Sequence, residues 1–288
     1  MIDVKNVSAG YGDGEVIHNV NFRIGRGEIY ILLGPNGSGK TTIFRVVAGI
    51  LPPTKGRVMI DGVDIWEDER VKSRLGYLPE GERVYPDLTV LKNMEFFAKI
   101  YGIGEDRIRE ILENFGLSEY RNKMAGTLSR GLRKRLAIAR TLLHDPEVVI
   151  LDEPFSNLDI ESVMALRDRI FEMLEEKKSI LLSTHILDEI HNFEEGRVAI
   201  VKGGRMLVEK DLQSLVGSTE MLLKVSNPDK AGEILKDHGF SVSVTKSALI
   251  VGTEKNENIS DAIKVLIENG IAVLEARYKS NPLEKFFK

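Results

Sequence analysis

The chain has 288 residues, 42% of them hydrophobic and 29% charged, which suits one large core or two smaller ones beneath a soluble surface. It contains no cysteine, which removes disulfides, thiolate metal sites and cysteine nucleophiles, and its formal net charge of -4 gives no electrostatic case for nucleic acid. No signal peptide is legible in the alternating start Met1-Ile-Asp-Val-Lys5, and no apolar run reaches the length of a membrane span, so any link to a membrane is expected to run through a partner.

In chain order, Ile2–Val7 and Val16–Ile24 alternate as strands do, with Gly10, Gly12 and Gly14 punctuating the turn between them. Tyr11 follows the first strand, where an aromatic either stacks on an adenine ring or simply packs. The apolar run Ile29–Leu33 then enters Gly34-Pro-Asn-Gly-Ser-Gly-Lys40-Thr41, which fits G-x-x-x-x-G-K-[ST]; Ile43, Phe44, Val46 and Val47 continue at helical spacing. Glycines there let consecutive backbone N–H groups converge on phosphate oxygens, and the helix behind directs its positive end at the same anion. The strand–turn–helix context therefore implies a nucleoside-triphosphate site built from Asn36, Gly37, Gly39, Lys40, Thr41 and Thr42. Lys40 reaches the β- and γ-phosphates in such a loop, and the Thr41 hydroxyl ligates Mg²⁺.

Pro52-Pro53 ends that helix, and Arg57–Ile60 and Leu75–Leu78 read as short strands with a turn at Asp61-Gly62. The charged run Glu67–Arg74 reads as a solvated face. Leu88–Gly102 and Ile108–Phe115 read as two helices of a small helical lobe, the first capped by Thr89 and striped by Val90, Met94, Phe97 and Tyr101. Ser129 then caps a further helix with Leu132, Leu136, Ala139 and Leu142 on one face. Ser129 and Gly131 mark either a plain capped helix or an anion site at its positive end. Arg133, Lys134, Arg135 and Arg140 read as a basic patch or as solvated helix charges.

Glu147–Asp152 carries four consecutive apolar residues into a carboxylate, followed by Glu153. That describes a buried parallel strand delivering Asp152 to the end where α/β sheets bind ligands. Asp152 is expected to hold Mg²⁺ or its water, and Glu153 to act as general base on the attacking water. Ser179–Leu182 is another strand, and Ser183-Thr184-His185 continues from it; His185 there either meets the γ-phosphate or is an ordinary edge histidine. Val198–Val201 and Met206–Val208 form a hairpin around Gly203-Gly204. His18, His144, His191 and His238 read as structural or surface residues.

Taken as an ordered set, these residues resemble the ATP-binding subunits of ABC transporters over about residues 2–215. Tyr11 is similar to the family's adenine-stacking aromatic, Gly34–Thr41 to its P-loop, and Asp152 and Glu153 to its metal-associated acid and catalytic base. Leu128-Ser129-Arg130-Gly131-Leu132 resembles the signature usually written LSGGQ, Ser156-Asn157-Leu158-Asp159 the D-loop, and His185 the switch histidine. The resemblance implies a mixed α/β P-loop nucleotide-hydrolase core with a helical subdomain at about residues 88–143. It also implies ATP and Mg²⁺ as cofactors and a head-to-tail pair of ATPase subunits, as a homodimer or with a paired subunit. In that pair each ATP lies between one copy's P-loop and the other's signature, and hydrolysis drives an integral membrane subunit. Two departures stand out. Glu80 occupies a coupling-loop position where glutamine is usual, near the metal, and it accepts hydrogen bonds but cannot donate as an amide does. Arg130 and Leu132 replace a glycine and a glutamine in the signature. Both variants resemble those of exporter-type members.

Residues 216–288 follow as a second, α+β domain. Strands at Met221–Val225, Ser241–Thr245, Ala248–Val251 and Ala272–Ala276 alternate with helices at Asp229–Asp237 and Ile259–Asn269, a β-α-β-β-α-β, ferredoxin-like order. Ser280–Phe287 resembles the closing segment of exporter ATPases. The expected function is ATP hydrolysis coupled to export through a separate membrane subunit, at the cytoplasmic face of the membrane. The alternative is a soluble ABC-type ATPase acting on translation or nucleic-acid machinery, although those usually carry two cassettes and this chain has one P-loop and one signature.

Overall fold

The computed structural model describes residues 1–12, 14–186, 189–190, 193, 195–213, 219–245, 248–253 and 259–278. It divides into two units: Met1–Ile190 with Gly196–Glu209, and His191–Glu195 with Lys210–Lys288. His191 and the segment 280–287 lie outside the described residues.

The first unit holds two sheets. β1 (Ile2–Tyr11), β2 (Gly14–Ile24), β4 (Lys55–Ile60) and β5 (Val63–Asp64) form an antiparallel sheet in the order β2-β1-β4-β5. Strand β1 is longer than its alternation predicts. Gly10 pairs with Glu15 and Tyr11 with Gly14, so both belong to the strand rather than to the turn. The reason is steric: a Cβ on Gly10 would sit 1.8 Å from the Gly14 carbonyl oxygen, so only glycine lets the ladder close there.

The second sheet runs β10-β9-β3-β8-β7-β6. Its parallel part consists of β3 (Ile29–Leu33), β6 (Leu75–Leu78), β7 (Val148–Asp152), β8 (Ser179–Thr184) and β9 (Arg197–Lys202). Every residue of β3, β7 and β8 is buried, as continuous apolar runs in a covered parallel sheet require. Strand β10 (Arg205–Asp211) returns along the edge through Gly203-Gly204, a connection too short for anything but an antiparallel hairpin.

Helix α1 (Lys40–Val47) buries Ile43, Phe44, Val46 and Val47 in one core shared by the two sheets, with Ile2, Ile17, Val58, Leu32 and Ile150 among its members. Register carries the chemistry: β3, β7 and β8 run parallel, so the segments that follow them all leave from one edge of the sheet.

Helices α2 (Val90–Tyr101), α3 (Glu105–Asn114) and α4 (Arg130–Leu142) bury their own cluster, which includes Val90, Met94, Ile108, Leu112 and Leu136. Thr89 and Ser129 cap α2 and α4, accepting from the backbone N–H of Lys92 and Leu132. Helix α5 (Ile160–Glu175) is capped by Asp159, which accepts from the Ser162 N–H at 2.8 Å.

The run 67–74 is largely solvent-exposed, as its charge content predicts, but it is anchored at two points. Glu69–Arg74 is a 3₁₀ turn with Val71 buried, and Arg74 pairs with both Glu147, at 2.8 Å, and Asp61. Charge content alone hid those partners, because Glu147 lies 73 positions away in sequence.

The second unit contains β11 (Thr219–Val225), α6 (Pro228–Asp237), β12 (Ser241–Val244), β13 (Leu249–Thr253), α7 (Ile259–Glu268) and β14 (Val273–Tyr278). All three strand pairs are antiparallel, in the order β12-β13-β11-β14, with Met221, Leu223, Leu235, Leu249 and Leu266 in the core.

Candidate functional site

The loop 34–39 leaves β3 and turns into α1 with Gly37 and Gly39 in the left-handed region, at φ 77° and 107°. Gly34 is needed for a different reason: a Cβ there would lie 2.3 Å from the Val201 carbonyl oxygen. Lys40 is 5% exposed, and its ammonium lies inside the loop, donating to the Gly34 carbonyl at 2.6 Å and the Pro35 carbonyl at 3.2 Å. It also lies 3.6 Å from Glu153 Oε1. A cleft lined by Asn36, Gly39, Lys40, Thr41, Glu80 and Glu153 therefore joins the P-loop to the acid that directly follows β7, two strands away in the sheet.

Asp152 is fully buried at the end of β7. Its Oδ1 accepts from the Ser183 hydroxyl at 2.5 Å, while Oδ2 is buried with no hydrogen bond. Burial pushes the Asp152 carboxyl above its ordinary value of 3.8, opposed by Ser183 and Thr41 and, more weakly, by the Lys40 charge. Glu153 turns out of the strand with φ 49°, a conformation that a non-glycine residue holds only under local constraint. Its N–H donates to Ser183 Oγ at 2.9 Å, and its carbonyl accepts from Lys134 Nζ and Ser156 Oγ, both at 2.8 Å. Its carboxylate is shared between two partners. His185 Nδ1 lies 2.9 Å from Oε2, and Oε1 is buried without a hydrogen bond.

The structure thus brings Asn36, Gly37, Gly39, Lys40, Thr41, Thr42, Glu80 and Glu153 to one cleft, with Asp152 and His185 in contact with its wall. Tyr11 ends β1 as an exposed ring whose hydroxyl accepts from Arg45 Nη1 at 2.7 Å. Ser129 and Asp159 are exposed helix caps, and Gly131 would place a Cβ 3.6 Å from the Asn157 carbonyl oxygen. Ser129, Gly131 and Asp159 are not among the described residues lining the P-loop cleft of their own chain.

Two residues escaped the sequence reading. Ser183 bridges Asp152 and Glu153 from the next strand, a role that shows only once the register pairs Asp152 with Ser183. Lys134 is neither a solvated charge nor part of a basic patch, because it is 1% exposed and bonded to Glu153. A signal existed: positions 134, 138 and 141 share a helix face, and all three are buried. His144 is structural, stacked on Tyr101 with ring centroids 4.0 Å apart and bonded through Nε2 to the Leu75 carbonyl.

The donors present fit a nucleotide-bound magnesium ion. Magnesium keeps several waters and takes one or two carboxylates together with phosphate oxygens. Asp152 Oδ2 and Glu153 Oε1 are buried acceptors lacking a hydrogen-bond donor, and Thr41 lies beside Asp152.

Residues 17–156 match the ABC transporter family. The whole chain is 32% identical over 295 residues to the bacitracin transport ATP-binding protein BcrA of Bacillus licheniformis, covering 96% of that protein. It is 32% identical to the Nod factor export ATP-binding protein I of Burkholderia orbicola, over 80% of this chain and 78% of that one. A solved ABC transporter cassette described as dimeric superposes with a TM-score of 0.67 at 28% identity, over 74% of this chain and 99% of that chain.

Proposed function

The chain belongs to the ABC transporter family, and from that premise we propose how its residues divide the work. It is an ATP-hydrolysing subunit that acts with a membrane partner in substrate transport. The observation carrying the mechanism is the convergence of Lys40, Glu153 and His185: the Lys40 ammonium is 3.6 Å from one Glu153 carboxylate oxygen and His185 is 2.9 Å from the other.

The P-loop N–H groups and Lys40 bind the β- and γ-phosphates, and Tyr11 presents an exposed ring to the adenine. Thr41 and Asp152 hold Mg²⁺, with Glu80 at the rim of the same cleft; the ion, when bound, neutralises phosphate charge. Glu153 takes the proton of the attacking water on the oxygen that has no hydrogen bond, while His185 fixes the other oxygen. Ser183 holds the two acids in register.

Ser129 and Gly131 stand apart from their own chain's P-loop cleft, and that supports a site shared between two copies. In it, the α4 N-terminus of one copy faces the γ-phosphate held by Lys40 of the other. Asp159 belongs to the same interface. A homodimer is the simplest assembly of this kind, in line with the relative solved as a dimer.

Export is the direction we favour. The signature variant, Glu80 and a second unit after Glu209 support it, as does similarity to a protein named for Nod factor export. The second unit's strand order, second-third-first-fourth along the sheet, supports a ferredoxin-like assignment, and we take its domain as residues 216–288 after an ATP-binding domain at 1–215. ATP as the substrate supports a position at the cytoplasmic face of the membrane. Purification of the tagged chain from detergent-solubilised membranes is the test. Recovery with a multispanning membrane protein is expected, and recovery only with ribosomes would overturn the transport reading.

A further inference from the structure

Lys134 sits in the second turn of α4 with 1% of its surface exposed. An ammonium buried that deeply is costly unless its partners hold it. Its hydrogen bond runs from Nζ to the Glu153 carbonyl at 2.8 Å, and the charges of Asp152, Glu82, Glu153 and Glu80 favour the ammonium against the cost of its burial. The bond therefore lands on the backbone of the acid nearest Lys40.

That backbone is the strained point of the site. At φ 49°, Glu153 occupies a region that sterics disfavour for any residue with a Cβ, so it persists only if neighbours over-determine it. Three side-chain bonds do so, with Ser183 Oγ accepting from the N–H and Lys134 and Ser156 donating to the carbonyl, and the Ser156 backbone N–H adds a longer one to that carbonyl at 3.4 Å. Relaxation of that peptide toward ordinary geometry would swing the carboxylate away from Lys40 and His185.

We propose that Lys134 is a positioning residue for hydrolysis, whose grip on the Glu153 carbonyl fixes the backbone turn that aims the Glu153 carboxylate into the P-loop cleft. This rests on the reading of Glu153 as the base. Ser156 shares the task at the same carbonyl, without a charge.

Lys134→Met keeps the length of the side chain and removes both donor and charge. Because a buried ammonium gives way to an apolar chain and the carbonyl keeps Ser156, the variant folds with an undiminished melting temperature. Its kcat falls roughly 10- to 100-fold, as small misplacements of a reacting group do, while its affinity for a fluorescent non-hydrolysed ATP analogue stays within about twofold. Ser156→Ala removes the second donor with no change of charge, and lowers kcat in the same pattern by a smaller factor. Added to Glu153→Gln, neither substitution lowers the residual turnover further, because both act through Glu153.

The measurements use the full chain with ATP and Mg²⁺. Wild-type kcat in Lys134→Met, loss of analogue binding, or a further loss on top of Glu153→Gln would each overturn the proposal. Should Lys134→Met fail to fold, an unchanged kcat in Ser156→Ala overturns it. Wild-type turnover in Glu153→Gln itself would instead remove the base assignment, so the two readings fail separately.

Discussion

Ser183→Ala is the most informative single-oxygen deletion in the fold. Ser183 is fully buried; its Oγ accepts from the Glu153 N–H at 2.9 Å and donates to Asp152 Oδ1 at 2.5 Å. Removing it leaves a buried amide unpaired, at about 1–3 kcal/mol, and takes a hydrogen bond from a carboxylate, worth about 1.5–3 kcal/mol. Partial relaxation brings the expected loss to roughly 2–5 kcal/mol, or a urea midpoint lowered by about 1–2 M at a typical slope. The single tryptophan, Trp66, lies in the first unit, so its fluorescence follows the unfolding of that unit.

The pH dependence has a definite sign. Burial raises the folded Asp152 pKa above 3.8, so the stabilising contribution of its protonated form is present below that value and is lost as pH rises through the folded pKa. Above that point the Ser183 hydroxyl offsets the cost of the buried charge. The variant's deficit, measured without metal or nucleotide, is therefore larger at pH 8 than near pH 4. A midpoint shift below about 0.3 M, or a deficit independent of pH, would refute the coupling of Ser183 to the two acids.

Other perturbations have equally defined outcomes. Ser129→Arg is expected to leave nucleotide binding by the monomer intact while abolishing ATP-induced dimerisation and turnover, whereas Lys40→Ala damages binding in its own copy; filter binding and light scattering distinguish them. Gly34→Ala forces a Cβ to within 2.3 Å of the Val201 carbonyl, so nucleotide binding measured by calorimetry should be lost together with at least about 1–3 kcal/mol of stability. Asp61 is held well below the usual carboxylate range chiefly by the N-terminal ammonium, with Arg74 and Arg26 adding to it against desolvation. Its depressed folded pKa supplies stability above 3.8 that is lost as pH falls, so Asp61→Asn should cost about 1–2 kcal/mol at pH 7 after solvent screening and less at pH 3 in urea melts.

What the sequence disclosed were features whose cause is local. The P-loop is contiguous, and its glycines, Lys40 and Thr41 are dictated by one turn and one helix end. Asp152 and Glu153 announced themselves because four apolar residues before a carboxylate describe a buried strand end. Ser129, Thr89 and the β-α-β-β-α-β pattern of the second unit were likewise readable from caps and periodicity. The remainder depends on pairing across the chain. Ser183 reads as one more strand serine until parallel register sets it beside Asp152. Lys134 reads as a helix charge until its face is known to be buried, and Arg74 reads as solvated until β6 and β7 bring Glu147 to it. Gly10 reads as a turn residue because a ladder that closes through glycine leaves no apolar signature.

The central claim is that Glu153 activates water on a nucleotide shared between two copies. Glu153→Gln tests it most directly, in steady-state ATP hydrolysis and light scattering with Mg²⁺. Turnover is predicted to fall roughly 10²–10⁴-fold while ATP still binds, and the uncleaved nucleotide accumulates the dimer. Hydrolysis at the wild-type rate, or inactive protein that binds ATP yet stays monomeric, would contradict it.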